Sequence, residues 1–461
     1  LALAKAAKFQ SAAFASAVHG ATAALILAPM LWESVTRLHL IGVRPASGVL
    51  VLFSIWGLAI AWRDKITAIA WTATVCGLLT AMALFRETQD IPAWMLTTLI
   101  VAATVEFSAC RDHWLGLRWM VALLANLNVA ALVFVMVRAN DPDAPSRWAT
   151  ASAIALAGIY VASAVDRSAL RRLRIDWFEI VQPAIAFLLL TGGSLRIASV
   201  TGMTTVPGGA VCLLAAAGCY VLALGSFEAV RRRNFIAYST AAFALFAAGC
   251  FLLMNGAMLT MAFAAASALA LIAGSVAGRT ELRIHGALYL LLSTLVSAFW
   301  LSTFGSVARI AEAPLSAACW IVPVSAAAGC AAVLGVRLPH ASDRYTVAFC
   351  GGALLWGVAG LAAHAVPADL ALGASLRTAL PIVLAIGAGW AGQRFKRDEL
   401  AWLAYLLLGA AGLKLLVEDL RSGRSIPMFV SLIVFGGALL ALPKLRRASE
   451  TPKSKAAVST P

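Results

Sequence analysis

A few charged and amide side chains stand inside the long apolar stretches of this chain, and they are the residues that could do chemistry there. They are Glu106, Asn126, Asn128, Lys414, Glu418 and Asp419. A polar group inside a membrane is costly, so it either marks the path of an ion or solute or pairs with another polar group. We treat these six residues as the candidate site and consider both roles for each.

Glu106 stands about one helical turn before the end of its apolar stretch, where a cation such as Arg111 can reach it. We interpret it as a structural ion pair, with a proton or cation site as the alternative. Asn126 and Asn128 stand near the middle of the next stretch. A buried amide must find hydrogen-bond partners on other helices. This position favours hydrogen bonds between helices over contact with a ligand.

Lys414 is followed four residues later by Glu418, so the two can form an ion pair across one helical turn near the outer surface. Asp419, Arg421 and Arg424 add charges of both signs in the same region. The pattern predicts an outer charge network that stabilises the last helical hairpin, and a substrate site is the alternative.

The sequence carries no nucleotide-binding motif, no catalytic triad pattern and no metal-ligand spacing. Its histidines are isolated, and no CxxC pair occurs among its eight cysteines. These are Cys76, Cys110, Cys212, Cys219, Cys250, Cys319, Cys330 and Cys350. We therefore predict no catalytic residue, no metal site and no cofactor, and we interpret the cysteines as apolar packing residues.

The elements that position these residues follow from composition. Of 461 residues, 62% are apolar and 12% are charged, against about 45 to 50% and about 25% in soluble globular proteins. This excludes a soluble enzyme. A membrane is crossed by a helix of about 20 residues, so the length holds about 16 crossings with short loops. The fold class is an all-α, polytopic transmembrane bundle of about 14–16 helices, with one domain over 1–447 and a disordered polar cytoplasmic tail over 448–461.

Apolar stretches bounded by charge, Pro or Gly place the helices. They are expected near 12–32, 46–62, 66–85, 91–109, 115–137, 148–165, 177–195, 206–225, 235–254, 257–277, 284–302, 314–335, 345–366, 376–392, 400–417 and 425–442.

Basic residues alternate between successive loops, and this predicts the topology. One alternate set of loops and the two ends of the chain hold 25 of the 36 Lys and Arg residues, among them Arg111, Arg118, Arg167 and Arg283. Short cytoplasmic loops retain basic residues. We therefore expect both termini in the cytoplasm, and anionic lipid of the inner leaflet as the neighbour of this charge. A nucleic-acid partner is excluded because no soluble domain is present to carry a basic face, and protein partners are not indicated.

The basic loops recur about every 50 to 60 residues, and several mix charge signs just before a new apolar stretch. Examples begin at Arg63, Arg111, Arg279 and Arg397. Duplicated helical hairpins would produce this order. The charge preferences of helix starts in any membrane protein would produce it too.

The C-terminal stretch resembles the end of a bacterial family of large membrane proteins, catalogued as domain of unknown function 2339. The resemblance lies in Leu413-Lys414, Glu418-Asp419-Leu420, Phe429, Ser431-Leu432, Phe435-Gly436 and Leu442-Pro443-Lys444. It implies a bacterial membrane protein of many short-looped helices, and it implies no activity. Members carry a charged segment ahead of the membrane region, so the chain is expected to be a fragment of a longer member.

Three functions are compatible with the sequence. The first is an integral protein of the bacterial cytoplasmic membrane with a structural or assembly role in the envelope and no enzymatic activity. The second is a transporter or channel for a small solute or ion. The third, a lipid-linked glycan enzyme, is disfavoured because the exported loops are short and hold no paired acids or histidine cluster.

Overall fold

The computed structural model describes residues 2–112, 115–139, 146–202, 204–226, 232–309, 318–334, 341–367, 372–395, 397–420 and 425–447. Throughout these residues the regular structure is helical, without strands, and this confirms the all-α fold. The predicted tail over 448–461 lies outside the described residues, as do Arg421 and Arg424.

The chain forms two compact units, unit 1 (Leu1–Leu253) and unit 2 (Met254–Pro461). The sequence does not indicate this boundary. The described helices of unit 1 are α1 (Ala2–Thr36), α2 (Val43–Asp64), α3 (Thr67–Thr88), α4 (Ile91–Asp112), α5 (Leu115–Ala139), α6 (Ser146–Val165), the π-helix π1 (Asp166–Leu170), α7 (Trp177–Thr201), α8 (Val206–Ser226) and α9 (Arg232–Leu253). Those of unit 2 are α10 (Gly256–Val276), α11 (Thr280–Val296), α12 (Phe299–Ala308), α13 (Ala318–Leu334), α14 (Ala341–His364), α15 (Gly373–Arg394), α16 (Asp398–Lys414), the π-helix π2 (Leu415–Asp419) and α17 (Ser425–Arg447).

The helices are those of a multi-pass membrane protein. Within the described residues, 14 are long and apolar enough to cross a membrane, and α11 with α12 can supply one more crossing as a bent pair. Their outward faces carry large apolar side chains such as Leu188, Leu214 and Leu301, each at least 70% exposed. Such faces suit lipid, where apolar side chains need no protein partner.

The prediction of one helix over 284–302 is wrong, because this segment is broken. α11 and α12 meet at an angle of 56°, and Ala298 between them adopts a left-handed φ of 50°. The Ser297 hydroxyl donates to the Ser293 carbonyl at 2.6 Å. Neither Ser nor Ala excludes a continuous helix, so the residue types at the break do not signal it.

The contacts within unit 2 are compatible with the bent pair as one crossing. Arg283 at the start of α11 bonds Asp343 at the start of α14, so these two helix ends lie on the same side. The intervening chain must then cross an even number of times. α13 runs parallel to α10, since the Ser325 hydroxyl donates to the Ala264 carbonyl and Gly329 lies against Leu271. If α13, which is shorter than the 14 candidate spans, is counted as one crossing, α11 with α12 supplies the other.

One hairpin turn occurs three times in the part of the chain that the structure describes. The amide of Ile66 donates to the carbonyl of Ala61, that of Arg279 to Gly274 and that of Arg397 to Gly392, each across five residues. This is the hydrogen bond of a Schellman-type helix end. A side chain at Gly274 would lie 2.8 Å from the Arg283 amide nitrogen, so a small residue is needed there. The shared geometry is what duplicated hairpins would produce, and duplication stays a prediction.

Candidate functional site

The ends of four helices meet around Arg118 in unit 1. Arg118 is in the first turn of α5, Glu106 is near the end of α4, Glu179 is in the first turn of α7, and Arg167 is in π1 directly after α6. All four side chains are buried, and Arg118 is 0% exposed. We call these four residues the unit 1 network.

Arg118 joins both carboxylates of the unit 1 network. Its Nη2 lies 2.8 Å from Glu106 Oε2, and its Nη1 lies 3.0 Å from Glu179 Oε1. The Ser163 hydroxyl donates to Glu106 Oε2 at 2.7 Å and accepts from Arg118 Nη2 at 3.1 Å. The guanidinium also lies over the Phe178 ring, 4.0 Å from its centroid. Arg118 therefore ties α4, α6 and α7 to α5.

Arg167 completes the network by a second contact with Glu179. Its Nη1 lies 3.2 Å from Glu179 Oε1, and its Nη2 lies 3.2 Å from Asp176 Oδ2. Glu179 also accepts the Asp176 amide at 2.9 Å, as part of the capping box that begins α7. Two guanidinium groups thus face two buried carboxylates, and the network is balanced in charge.

The prediction that Arg111 pairs with Glu106 is wrong, because Arg118 forms this ion pair. Arg111 is exposed, and its guanidinium lies 4.4 Å from the Phe107 centroid and 5.7 Å from the Trp62 centroid. Residues five apart on an α-helix point about 140° away from each other, so Arg111 faces away from Glu106.

Three arginines assigned to basic loops are also buried in ion pairs. Arg118, Arg167 and Arg283 are at most 7% exposed. Their charges act inside the helix bundles, so they do not contribute to the solvated loop charge on which the topology prediction relies.

The two asparagines of the candidate set donate to neighbouring helices. Asn126 Nδ2 donates to Gln182 Oε1 at 2.8 Å, and Asn128 Nδ2 donates to Thr98 Oγ1 at 3.2 Å. Asn126 thereby joins α5 to α7, and Asn128 joins α5 to α4. Asn126 Oδ1 is buried and has no partner among the described residues.

Lys414 is the centre of a second cluster, in unit 2. Its Nζ lies 2.6 Å from Asp419 Oδ1 and 3.0 Å from Glu418 Oε2. It also donates to Thr378 Oγ1 at 2.6 Å and to the Ala374 carbonyl at 2.7 Å. The predicted ion pair with Glu418 is therefore present. The Lys414 ammonium is buried within unit 2, since Lys414 and Asp419 are 0% exposed and the Glu418 side chain is 14% exposed.

Arg377 balances this cluster. It forms an ion pair with Glu418, and Thr378, the next residue on α15, donates to Asp419 Oδ2 at 2.8 Å. We call Arg377, Lys414, Glu418 and Asp419 the unit 2 network. It joins α15 to the end of α16, and it again contains two cations and two carboxylates.

π-Helices contribute to both networks. π1 contains Arg167, and π2 contains Glu418 and Asp419. On an α-helix, residues 414 and 419 would point in different directions. The wider turn of a π-helix brings residues five apart closer together, as Lys414 and Asp419 require.

A third ion pair joins α11 to α14. Arg283 Nε lies 2.8 Å from Asp343 Oδ1, and its Nη2 lies 2.9 Å from Asp343 Oδ2. Arg283 also donates to the Gly274 carbonyl at 3.3 Å and to Thr280 Oγ1 at 3.2 Å. Both charged side chains are at most 2% exposed. This two-bond geometry is the strong form of an arginine–carboxylate pair.

Sequence reasoning missed Glu179, Asp343 and Arg377 as site residues. Glu179 and Asp343 each stand in the first turn of a helix, where an acid is expected from the helix dipole alone. Arg377 gave a usable signal, because an arginine inside an apolar stretch requires a carboxylate partner.

The six candidate residues are divided between the two units. Glu106, Asn126 and Asn128 are in unit 1, and Lys414, Glu418 and Asp419 are in unit 2. A groove of about 810 Å³ between α1 and α3 is lined by apolar and small side chains from Ala21 to Trp32 and from Trp71 to Ala83, and by none of the six. No group of three or more metal-ligating side chains occurs among the described residues.

Comparisons of the chain with protein-family models, with curated proteins and with solved structures found no match. The resemblance to domain of unknown function 2339 stays a prediction.

Proposed function

We propose that the protein is a multi-pass component of the bacterial cytoplasmic membrane, with both termini in the cytoplasm, and that it has a structural or assembly role in the envelope. One observation carries this proposal. Among the described residues, buried charged side chains of the membrane helices form balanced ion pairs that join helices, in the unit 1 network, the unit 2 network and the Arg283–Asp343 pair.

A solute or ion pathway would need a polar group that is available to the ligand. Glu106 accepts from Arg118 and Ser163, and the Lys414 ammonium donates to three oxygen atoms, those of Ala374, Thr378 and Asp419. An ammonium group has three donors, so Lys414 has none left for a substrate. These contacts favour the structural role over a substrate site at the same residues.

The predicted orientation has support from the way helix ends meet. The unit 1 network brings together the end of α4, the start of α5, the end of α6 and the start of α7. Helices that cross in alternate directions have these four ends on one side. The loops at these ends belong to the basic set, which is typical of the cytoplasmic side.

A deletion strain tests the proposed role. We expect loss of the protein to increase an envelope-stress reporter and sensitivity to detergents, while uptake of labelled ions, sugars and amino acids stays unchanged. Complementation with the full chain should restore the reporter. Unchanged envelope properties together with loss of uptake of one solute would overturn the proposal.

A transporter or channel is the second candidate, and the break between α11 and α12 favours it. Discontinuous helices form ion and substrate sites in many transporters, because the break frees backbone carbonyl groups. Purified protein in proteoliposomes distinguishes the two functions. Flux that Ala298→Leu abolishes and that Gly305→Ala preserves would support transport, and the structural role predicts no flux above that of empty vesicles.

A further inference from the structure

The loop over 171–176, between π1 and α7, is held in place by a buried asparagine from another helix. Asn234 Nδ2 donates to the Leu173 carbonyl at 3.1 Å, and the Ile175 amide donates to Asn234 Oδ1 at 3.1 Å. Asn234 is 0% exposed and is the third residue of α9. The start of α9 is therefore fixed beside this loop.

This arrangement brings exposed arginines together. Arg172 and Arg174 are exposed on the loop, and Arg232 and Arg233 are exposed at the start of α9, directly before Asn234. We call Arg172, Arg174 and Arg233 the arginine patch. The Asn234 side chain binds the loop backbone at Leu173 and at Ile175, on either side of Arg174, and these bonds fix the loop beside the start of α9.

The described acids on either side of the 171–176 loop already have cationic partners. Asp166 lies 2.7 Å from Arg171, and Asp176 lies 3.2 Å from Arg167. The buried Glu179 is taken up by Arg118 and Arg167. Arg172 and Arg174 form no ion pair with the described residues. The arginine patch therefore has a net positive charge.

Exposed apolar surface adjoins the charge. Trp177, the first residue of α7, is 70% exposed, and the Arg233 guanidinium lies 5.9 Å from the centroid of its ring. Leu170 at the end of π1 is 75% exposed. Tryptophan at the end of a membrane helix is typical of the lipid interface, where the ring contacts acyl chains and the indole N–H contacts headgroups.

We propose that the arginine patch binds the headgroup phosphate of an anionic phospholipid, with Trp177 and Leu170 against its acyl chains. Guanidinium groups match phosphate oxygens in pairs, and the apolar neighbours select a lipid over a free anion. The site does not depend on the proposed structural role, since any membrane protein with this loop would present it.

Lipid-dependent thermal stability of the purified full chain tests this inference. The protein in neutral detergent is titrated with phosphatidylglycerol, with phosphatidylcholine and with inorganic phosphate, for the wild type and for R172Q/R174Q/R233Q. Its matched control is R44Q/R86Q/R138Q, which removes three exposed arginines from other helix ends of unit 1. We expect phosphatidylglycerol to raise the melting temperature of the wild type and of the control. We expect the patch variant to bind it about 100-fold more weakly, from about fivefold for each of the three arginines.

Three results would overturn the site. The first is an equal loss in the patch variant and the control, which indicates unspecific charge. The second is an equal effect of inorganic phosphate and phosphatidylglycerol, which indicates a free-anion site. The third is a wild type that does not distinguish phosphatidylglycerol from phosphatidylcholine. Asn234→Leu, which removes the loop contacts and keeps all three arginines of the patch, should also weaken binding, because the patch is then no longer positioned.

Discussion

The Lys414 ammonium lies 2.6 Å from the Asp419 carboxylate, and both side chains are 0% exposed inside unit 2. The two residues are five apart, and the π-helix that follows Lys414 brings them together. A buried ion pair of this kind contributes little net stability, but each charge is costly without the other. The pair is therefore a sensitive probe of the unit 2 network.

Lys414→Met should destabilise the protein by about 3 to 5 kcal/mol, because it leaves the Asp419 carboxylate buried without a cation. Lys414→Met combined with Asp419→Leu should recover most of this loss, since Arg377 and Glu418 still balance each other. Unfolding in detergent, followed by circular dichroism, measures both. Equal loss in the single and double variants would contradict the pairing.

Arg118 and Arg111 provide a matched test of the partner of Glu106. Arg118→Ala leaves the buried Glu106 carboxylate without its cation, while Glu179 keeps Arg167, and it should cost at least about 3 kcal/mol. Arg111→Ala removes an exposed guanidinium stacked on aromatic rings and should cost about 1 kcal/mol or less. Unfolding in detergent measures both losses of stability. A larger loss for Arg111→Ala than for Arg118→Ala would show that Arg111 is the partner of Glu106.

Arg283→Lys should destabilise unit 2 although it keeps the charge. An ammonium group does not form the two parallel bonds that the guanidinium makes to Asp343, so we expect a loss of about 1 to 3 kcal/mol. Arg394→Lys, at an exposed position at the end of α15 in the same unit, is the control and should stay within about 0.5 kcal/mol of the wild type. Similar losses in both variants would contradict a special role of the Arg283 geometry.

Gly274→Ala should be destabilising, because its methyl group would lie 2.8 Å from the Arg283 backbone nitrogen. Gly409→Ala in α16 meets no atom within 4 Å and should be neutral or stabilising by up to about 1 kcal/mol, since Ala favours a helix over Gly. Melting temperatures of the two variants give the comparison. A stable Gly274→Ala variant would show that the α10–α11 turn is not tightly packed.

The helices could be predicted from hydropathy, whereas their contacts could not. α8 is expected over 206–225 and extends from Val206 to Ser226, because an apolar stretch between polar residues leaves little choice in a membrane. The partner of Glu106 depends on which helices pack together. Arg118 is close to the beginning of an apolar stretch. An arginine at such a position can lie in a solvated loop or in a buried ion pair, and the sequence pattern is the same in both cases. The break at Ala298 likewise depends on packing around α11 and α12.

The most direct test of the structural role replaces the unit 2 network pair by apolar side chains and measures function in cells. The variant K414M/D419L is expressed in the deletion strain at wild-type abundance, and the envelope-stress reporter is measured. If these charges only join helices, the folded variant should restore the reporter to the wild-type level. A folded variant at wild-type abundance that fails to restore it would contradict the account, because the charges would then act on something other than the helices that they join.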